Sequence, residues 1–314
     1  MLEGKTVAVV VPAFREEALI ADTLRGLPSW VDRVWVVDDR SPDATADRAR
    51  EVGDPRVEVI VHERNLGVGG AIVTGYKRAL ADEIACTVVM AGDNQMDPGE
   101  LETACLPVVR GEVDYHKANR LFTGQAWDLI PRNRYLGNAV LSLFTKVASG
   151  YWHVADSQAG YAAISLPMLQ LLDLDRIYKR YGFPNDILVH LNVWNARVRD
   201  FPSRPIYGVG ERSGIKIRKV VPRISWLLVK GFFWRLREKY VIRDFHPLVF
   251  FYTFGFLLTG LGLLLGLYVA IARIFEGGDI TAGTAALIAL LLISGSQFSL
   301  FAMWFDMESN KDLR

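Results

Sequence analysis

Val7-Ala8-Val9-Val10-Val11-Pro12-Ala13-Phe14-Arg15-Glu16-Glu17 joins a short apolar run to a polar loop that opens on proline. A run this short, rich in β-branched residues and stopped by a turn residue, describes a strand buried on both faces. Val34 to Val37 repeats the pattern and leads into Asp38-Asp39-Arg40-Ser41-Pro42-Asp43-Ala44-Thr45. Val57 to Val61 reads as a weaker third strand and Thr87 to Met90 as a fourth. Glu16 to Gly26, Ala44 to Val52 and Ala71 to Ala81 have helical spacing between them. Alternating strand and helix predict one α/β domain over residues 1–210, a mostly parallel sheet with helices on both faces. Its ligands are expected beyond the strand C-terminal ends.

The composition fits a chain with a large core and a second region of another kind. Of 314 residues 51% are hydrophobic, which excludes disordered and collagen-like classes. A net charge of +1 gives no reason to expect a nucleic-acid partner. Cys86 and Cys105 lie in apolar surroundings without CxxC spacing and read as buried core thiols. Mean hydropathy is nevertheless positive, +0.17. Its source is Pro247 to Ala272 and Ile280 to Phe305, each 26 residues without an Asp, Glu, Lys or Arg. Each is long enough to cross a bilayer, and the connector Arg273 to Asp279 allows only a tight hairpin. The expected organisation beyond the α/β domain is a basic juxtamembrane segment at 211–245, a hairpin of two spans at 246–307 and a tail at 308–314. Lipid-facing spans also leave room for homo-oligomers.

Orientation follows from the flanks. Between Arg212 and Arg243 there are ten Lys and Arg against one acid, Glu238, so the α/β domain is expected in the cytoplasm. Within that segment Arg223, Lys230 and Arg237 recur every seven residues, as do Trp226, Phe233 and Tyr240. On a helix these form adjacent basic and aromatic stripes, suited either to the membrane interface or to packing on the α/β domain.

The loops after the strands carry the chemistry. Asn65-Leu66-Gly67-Val68-Gly69-Gly70-Ala71 opens a helix, and Ala91-Gly92-Asp93-Asn94-Gln95-Met96-Asp97-Pro98 follows the fourth strand. Singly, each loop has an ordinary explanation as a cap or turn. In order on successive parallel strands, they converge on one sheet edge. With Lys117-Ala118-Asn119-Arg120, Arg132-Asn133-Arg134-Tyr135-Leu136-Gly137-Asn138, Asp156-Ser157-Gln158-Ala159-Gly160-Tyr161 and the paired spans, the chain resembles the inverting GT-A glycosyltransferases that make polyprenyl-phosphate or dolichyl-phosphate sugars.

The resemblance implies a role for each matching residue. Pro12, Phe14 and Glu16 would hold the base and ribose of a nucleotide-diphosphate sugar, with Asp38 and Asp39 near the base and Asn65 and Gly69 closing the pocket. Asp93 and Gln95 would hold a divalent cation, Mg²⁺ or Mn²⁺, and Asp156 would reach the reaction centre. Gly182-Phe183-Pro184-Asn185-Asp186 resembles a later acidic segment, in which Asp186 would support the acceptor side. Two positions depart from the family pattern: Ala91 stands where a first metal-loop aspartate is common, and Ala162 where Arg or Lys is common. Asp97 is a candidate to compensate for the first.

Chemistry narrows the acceptor. A hydroxyl needs a general base, whereas a lipid phosphate is already ionised and needs only positioning. Lys117, Arg120, Arg132 and Arg134 supply cations for it. Asp93, Asp156 and Arg120 are thus the expected catalytic set of a membrane-anchored glycosyltransferase whose acceptor is a polyprenyl phosphate in the bilayer. A glycosyltransferase acting on a lipid hydroxyl is the alternative enzyme, and a nucleotide-sugar-binding scaffold without turnover the alternative outside catalysis.

Overall fold

The β-branched runs form the middle of a sheet, as a computed structural model shows. It describes residues 1–122, 132–204, 206, 217–277 and 281–314, without the side chains of 132–136, 138, 217–219 and 276. The strands are β1 (Val7–Ala13), β2 (Arg33–Asp38), β3 (Val57–Val61), β4 (Cys86–Val89), β5 (Tyr115–Asn119), β6 (Ala162–Ser165) and β7 (Val198–Pro202), in the order β3-β2-β1-β4-β6-β5-β7. Every neighbouring pair is parallel except those of β6, which runs antiparallel to both β4 and β5. That reversal matters for the site. The segment before β6, which contains Asp156, arrives at the edge where β4, β5 and β7 end.

The expected α/β class is met. Four strands fall where the apolar runs are; β5, β6 and β7 have no counterpart among them. Along β1 the side chains alternate, Ala8 and Val10 into one apolar layer and Val7, Val9 and Val11 into the other. The first layer is roofed by α3 (Val68–Ala81) and the second by α1 (Ile20–Arg25) and α4 (Leu101–Val109), with α2 (Thr45–Glu51) beside α1. Cys86 and Cys105 are free and buried in the second layer.

Beyond β5 the helices are α5 (Arg132–Ser149), α6 (Leu166–Leu171), α7 (Phe183–Val193) and α8 (Ile217–Arg237). α7 is buried nearly all round. α8 lies along it, Gly231 against Val189 and the Trp234 ring 4.5 Å from that of His190. The fully buried Arg235 donates to the Ala148 carbonyl at the end of α5 at 2.8 Å.

One structural unit comprises Met1–Arg235 with Asp312–Arg314, and a second comprises Leu236–Lys311. The second holds a π-helical turn (Glu238–Arg243) and two long helices, α9 (Leu248–Glu276) and α10 (Ala282–Ser309). Both are apolar and long enough to span a bilayer, and only a small share of either is buried. They close tightly where a Cβ on Gly295 would meet the Thr259 backbone nitrogen at 2.6 Å. The π turn also corrects one expectation: Tyr240 leaves the aromatic stripe, because the wider turn breaks the seven-residue repeat. It is buried and donates to Asp306 at 2.7 Å.

Candidate functional site

The expected donor half of the site is made by the ends of β1 and β2 and by the loop opening α3. Phe14 is 41% exposed, with the Arg15 guanidinium 5.3 Å from its ring centroid. An open aromatic face at a strand end is a stacking platform. Glu16 follows, its N–H donating to Thr45 Oγ1 at 2.9 Å. Burial raises its carboxyl to a pKa of about 7, and the charges of Asp93 and Asp43 push the same way. Arg15, Arg40 and Asn94 all have positive φ, 65°, 63° and 54°. Three of the converging loops thus each hold one non-glycine residue in a conformation that clusters at functional sites.

The paired aspartates are occupied differently from the expected base contacts. Asp38 and Asp39 are buried. Asp38 accepts from the hydroxyl of Ser41, whose oxygen in turn accepts the Arg15 N–H at 3.0 Å, tying the β1 and β2 loops together. Asp39 accepts the N–H groups of Leu66 and Gly67, both at 2.7 Å, and lies 2.8 Å from His62 Nδ1. Asn65 donates to the Asp39 carbonyl at 3.0 Å. These side chains brace the loop that opens α3. Gly69 is also explained by packing: a Cβ there would stand 2.6 Å from the Tyr178 carbonyl oxygen. Only glycine lets that backbone cross the start of α3.

The metal loop follows β4. Its Gly92 N–H donates to the Pro12 carbonyl at 3.2 Å, which fixes it beside the donor loop. Asp93 Oδ1 accepts the Gln95 N–H at 3.1 Å. Asp97, the candidate to compensate for Ala91, accepts from Gly99 N at 2.8 Å and caps the turn Pro98–Glu100. Among the described residues no three His, Cys, Asp or Glu side chains gather as a metal cluster. The donor set still fits a hard cation that completes its shell with ligand and water oxygens. Asp93 and Gln95 offer oxygens, and the charge of Asp93 adds to the burial that raises the Glu16 carboxyl beside it.

On the acceptor side Arg120 leaves the end of β5 and meets Asp156. The guanidinium Nε and Nη2 donate to the two carboxylate oxygens at 2.7 and 3.2 Å, and the N–H groups of Arg120 and Gln158 add contacts at 3.3 and 3.1 Å. Burial alone would raise the Asp156 carboxyl, but the charge and hydrogen bonds of Arg120, with Lys117 behind them, hold it below the usual carboxylate range.

The structure moves Lys117 out of the expected phosphate cradle. Its side chain is fully buried and donates to the Asp156 carbonyl. Ala162, the second departure, is buried in β6 directly opposite it. Arg132 and Arg134 stand in the first turn of α5, and their side chains lie outside the described residues. Asp186, in the first turn of α7, accepts the Tyr178 N–H at 2.8 Å and is buried, a structural position.

Sequence reasoning missed Arg204. A pocket joins Gln95 and Met96 to Arg120, Gly160, Tyr161, Ser203 and Arg204. Glu100 accepts from the Ser203 hydroxyl at 2.6 Å and from the Arg204 N–H at 3.0 Å, so it fixes the loop that carries this exposed cation. A basic residue just after a strand is the available signal, but β7 has no apolar run to mark it.

Residues 8–171, more than half of the chain, match the profile described as "Glycosyl transferase family 2". The chain is 28% identical over 221 residues to a UDP-N-acetylglucosamine–dolichyl-phosphate N-acetylglucosaminyltransferase of Methanococcus voltae, covering 66% of this chain and 88% of that protein. It is 31% identical over 201 residues to an undecaprenyl-phosphate mannosyltransferase of Micrococcus luteus, covering 62% of this chain and 82% of that one. Among solved structures, glucosyl-3-phosphoglycerate synthase of Mycobacterium tuberculosis, in complex with Mn²⁺, UDP and glucosyl-3-phosphoglycerate, superposes with a TM-score of 0.53 at 20% identity, covering 74% of this chain and 80% of that chain. That likeness is one of fold.

Proposed function

The chain belongs to glycosyl transferase family 2, and from that premise we propose that it moves a sugar from a nucleotide diphosphate onto a polyprenyl phosphate, with inversion, at the cytoplasmic face of a membrane. The observation that carries the acceptor is the occupation of Asp156. A carboxylate that already accepts four N–H contacts and is held below its usual pKa is poorly suited to take a proton from a hydroxyl. An ionised phosphate asks for no such base. The acceptors named for the relatives from Methanococcus and Micrococcus, dolichyl phosphate and undecaprenyl phosphate, support the same choice.

On this reading Phe14 stacks on the base, Glu16 faces the ribose, and Asp38, Asp39, Asn65 and Gly69 keep the donor loops in place. Asp93 and Gln95 would hold a divalent cation, Mg²⁺ or Mn²⁺, which when bound neutralises charge developing on the leaving diphosphate. Arg120, its Nε–Nη2 edge held by Asp156, turns the rest of its guanidinium toward the acceptor phosphate. Arg204 faces the same pocket, and Arg132 and Arg134 stand for the same anion. The phosphate oxygen attacks the anomeric carbon opposite the diphosphate, and one displacement inverts the centre.

The apolar pair α9 and α10 and the basic stretch Arg212 to Arg243 support a membrane setting with the first unit in the cytoplasm. α8 supports it too, since its outward residues Trp226 and Phe233 are 61% and 53% exposed and Lys230 lies 5.3 Å from the Trp226 ring centroid.

The test is transfer by isolated membranes from a panel of nucleotide sugars to polyprenyl phosphate and to diacylglycerol, with the product anomer read by NMR. An inverted glycosyl phosphate is expected. Preferential glycosylation of diacylglycerol would replace this reading with the lipid-hydroxyl enzyme.

A further inference from the structure

Lys117 sits in mid-sheet, with no exposure to solvent, in a register that gives it two partners. It is paired with Asp200 of β7 in the parallel ladder and with Ala162 of β6 in the antiparallel one. Side chains paired across neighbouring strands share a face of the sheet. The lysine therefore lies between a short methyl group on one side and a carboxylate on the other. Its ammonium donates to the carbonyl of Asp156, while Asp200 Oδ2 accepts the N–H of Ala155 at 2.8 Å. Two consecutive residues of the loop that presents Asp156 are held by two side chains of opposite charge.

The charges need one another. Burial lowers the Lys117 pKa and raises that of Asp200, and in each case the other residue heads the opposing influences. Among the described residues Asp200 Oδ1 is buried without a hydrogen-bond partner, and the Lys117 charge acts on this carboxylate through space. Above this pair the Asp156 carboxylate accepts from Nε and Nη2 of Arg120. A shift of the Ala155–Asp156 backbone would redirect the guanidinium.

We propose that Lys117 and Asp200 are positioning residues, a cross-strand pair of opposite charges that fixes the Ala155–Asp156 backbone and, through Asp156, aims Arg120 at the acceptor phosphate. Only that last link rests on the function proposed above. The size of Ala162 belongs to the same device: the cation arrives from β5 and fills the space that a longer side chain on β6 would claim.

The register supplies the test. Lys117→Ala removes the ammonium; the double variant Lys117→Ala with Ala162→Lys returns one to the same level of the sheet from the opposite strand. Asp200→Asn keeps an acceptor for Ala155 and removes only the charge. Two quantities are read on the full-length protein: hydrogen exchange across residues 155–158, and affinity for geranyl phosphate beside affinity for Mn²⁺–UDP.

Lys117→Ala and Asp200→Asn should each speed exchange and weaken geranyl phosphate about tenfold while Mn²⁺–UDP moves less than about twofold, and the relocated lysine should recover most of both losses. Unchanged exchange in both single variants, a relocated lysine no better than Lys117→Ala, or an equal loss of both ligands would overturn the proposal. If Lys117→Ala does not fold, the relocated variant and Asp200→Asn decide by the same criteria. A wild-type protein that ignores geranyl phosphate while exchange responds as stated would remove the acceptor reading and leave the positioning role standing.

Discussion

The donor and acceptor halves of the site hold their charged groups by opposite means. On the donor side, Asp39 is held by the N–H groups of Leu66 and Gly67, and Asp38 by the nearby Ser41. On the acceptor side, Asp156 is held by Arg120, and beneath it Lys117 is matched with Asp200 across strands distant in sequence. Backbone donors fix a carboxylate without adding charge. A charge pair fixes a residue and leaves a cation at the surface to meet a ligand. The proposed donor half is thus a braced frame around Phe14, Glu16 and Asp93, and the proposed acceptor half a guanidinium held by a carboxylate.

Two substitutions should separate the halves. Asp93→Asn removes the principal oxygen ligand from the donor side and should lower kcat by roughly a hundredfold to a thousandfold, with the thermal midpoint nearly unchanged. Transfer by Asp93→Asn equal to the wild type at saturating Mn²⁺ would show that the cation is held elsewhere. Arg120→Ala should cost about a hundredfold in kcat/KM for the lipid phosphate and leave the KM of the nucleotide sugar nearly constant. Arg120→Lys should recover only part, because it restores charge without the fork. Equal losses for donor and acceptor would erase the distinction between the halves.

The same contrast explains what the sequence disclosed. β1, β2 and β4 are continuous apolar runs, and each site residue of the donor half follows its strand within a few positions, so local pattern was enough. β5 reads Tyr-His-Lys-Ala-Asn and β7 Val-Arg-Asp-Phe-Pro, polar strings with no run to mark them, although every residue of β5 is buried. Their burial depends on pairings such as Lys117 with Asp200, which no local spacing reveals. Lys117 is therefore expected in the phosphate cradle and not in the core, and Arg204 follows a strand that leaves no signal of its own. Asp38 and Asp39 show a subtler limit: residue type and place were legible, but whether a carboxylate faces a ligand or a backbone N–H is settled by the loop that folds over it.

A third test uses a buried acid without a cation. Asp186, unlike Asp156, meets no arginine among the described residues, and burial raises its pKa to about 6 although the Tyr178 N–H opposes the shift. His190 comes within 3.6 Å, but burial lowers the ring's own pKa to about 4, so at neutral pH the contact joins a carboxylate to an uncharged imidazole. The folded state thus holds the Asp186 proton to higher pH than the unfolded chain does. Its contribution to stability is fully present below the ordinary carboxylate pKa and is lost as pH rises toward about 6. Asp186→Asn retains an acceptor for Tyr178 and should raise stability by about 3 kcal/mol at pH 8 with little change near pH 4. Urea midpoints at the two pH values measure it. The same gain at both would mean that ionisation is not what the fold resists.

The smallest effect concerns α8, whose two faces repeat the contrast in a single element. Ile224, Leu228, Phe232 and Arg235 are buried, while Arg223, Trp226, Lys230, Phe233 and Arg237 are exposed. The buried side packs on the first unit, and the bilayer contact that the sequence offers as the alternative would use the other side of the same helix. If the outer side lies on anionic headgroups, neutralising Lys230 or Arg237 to Gln should weaken association of a chain truncated after Asp244 with phosphatidylserine vesicles by about 1 kcal/mol each. Salt near 1 M, where screening reaches only about 3 Å, should erase the difference. Trp226→Ala should weaken binding in a way that salt does not erase, because the ring acts by burial at the interface and not by charge. A truncated chain that stays in solution beside such vesicles at low salt would leave α8 as a packing helix alone, its outer stripe without a lipid to meet.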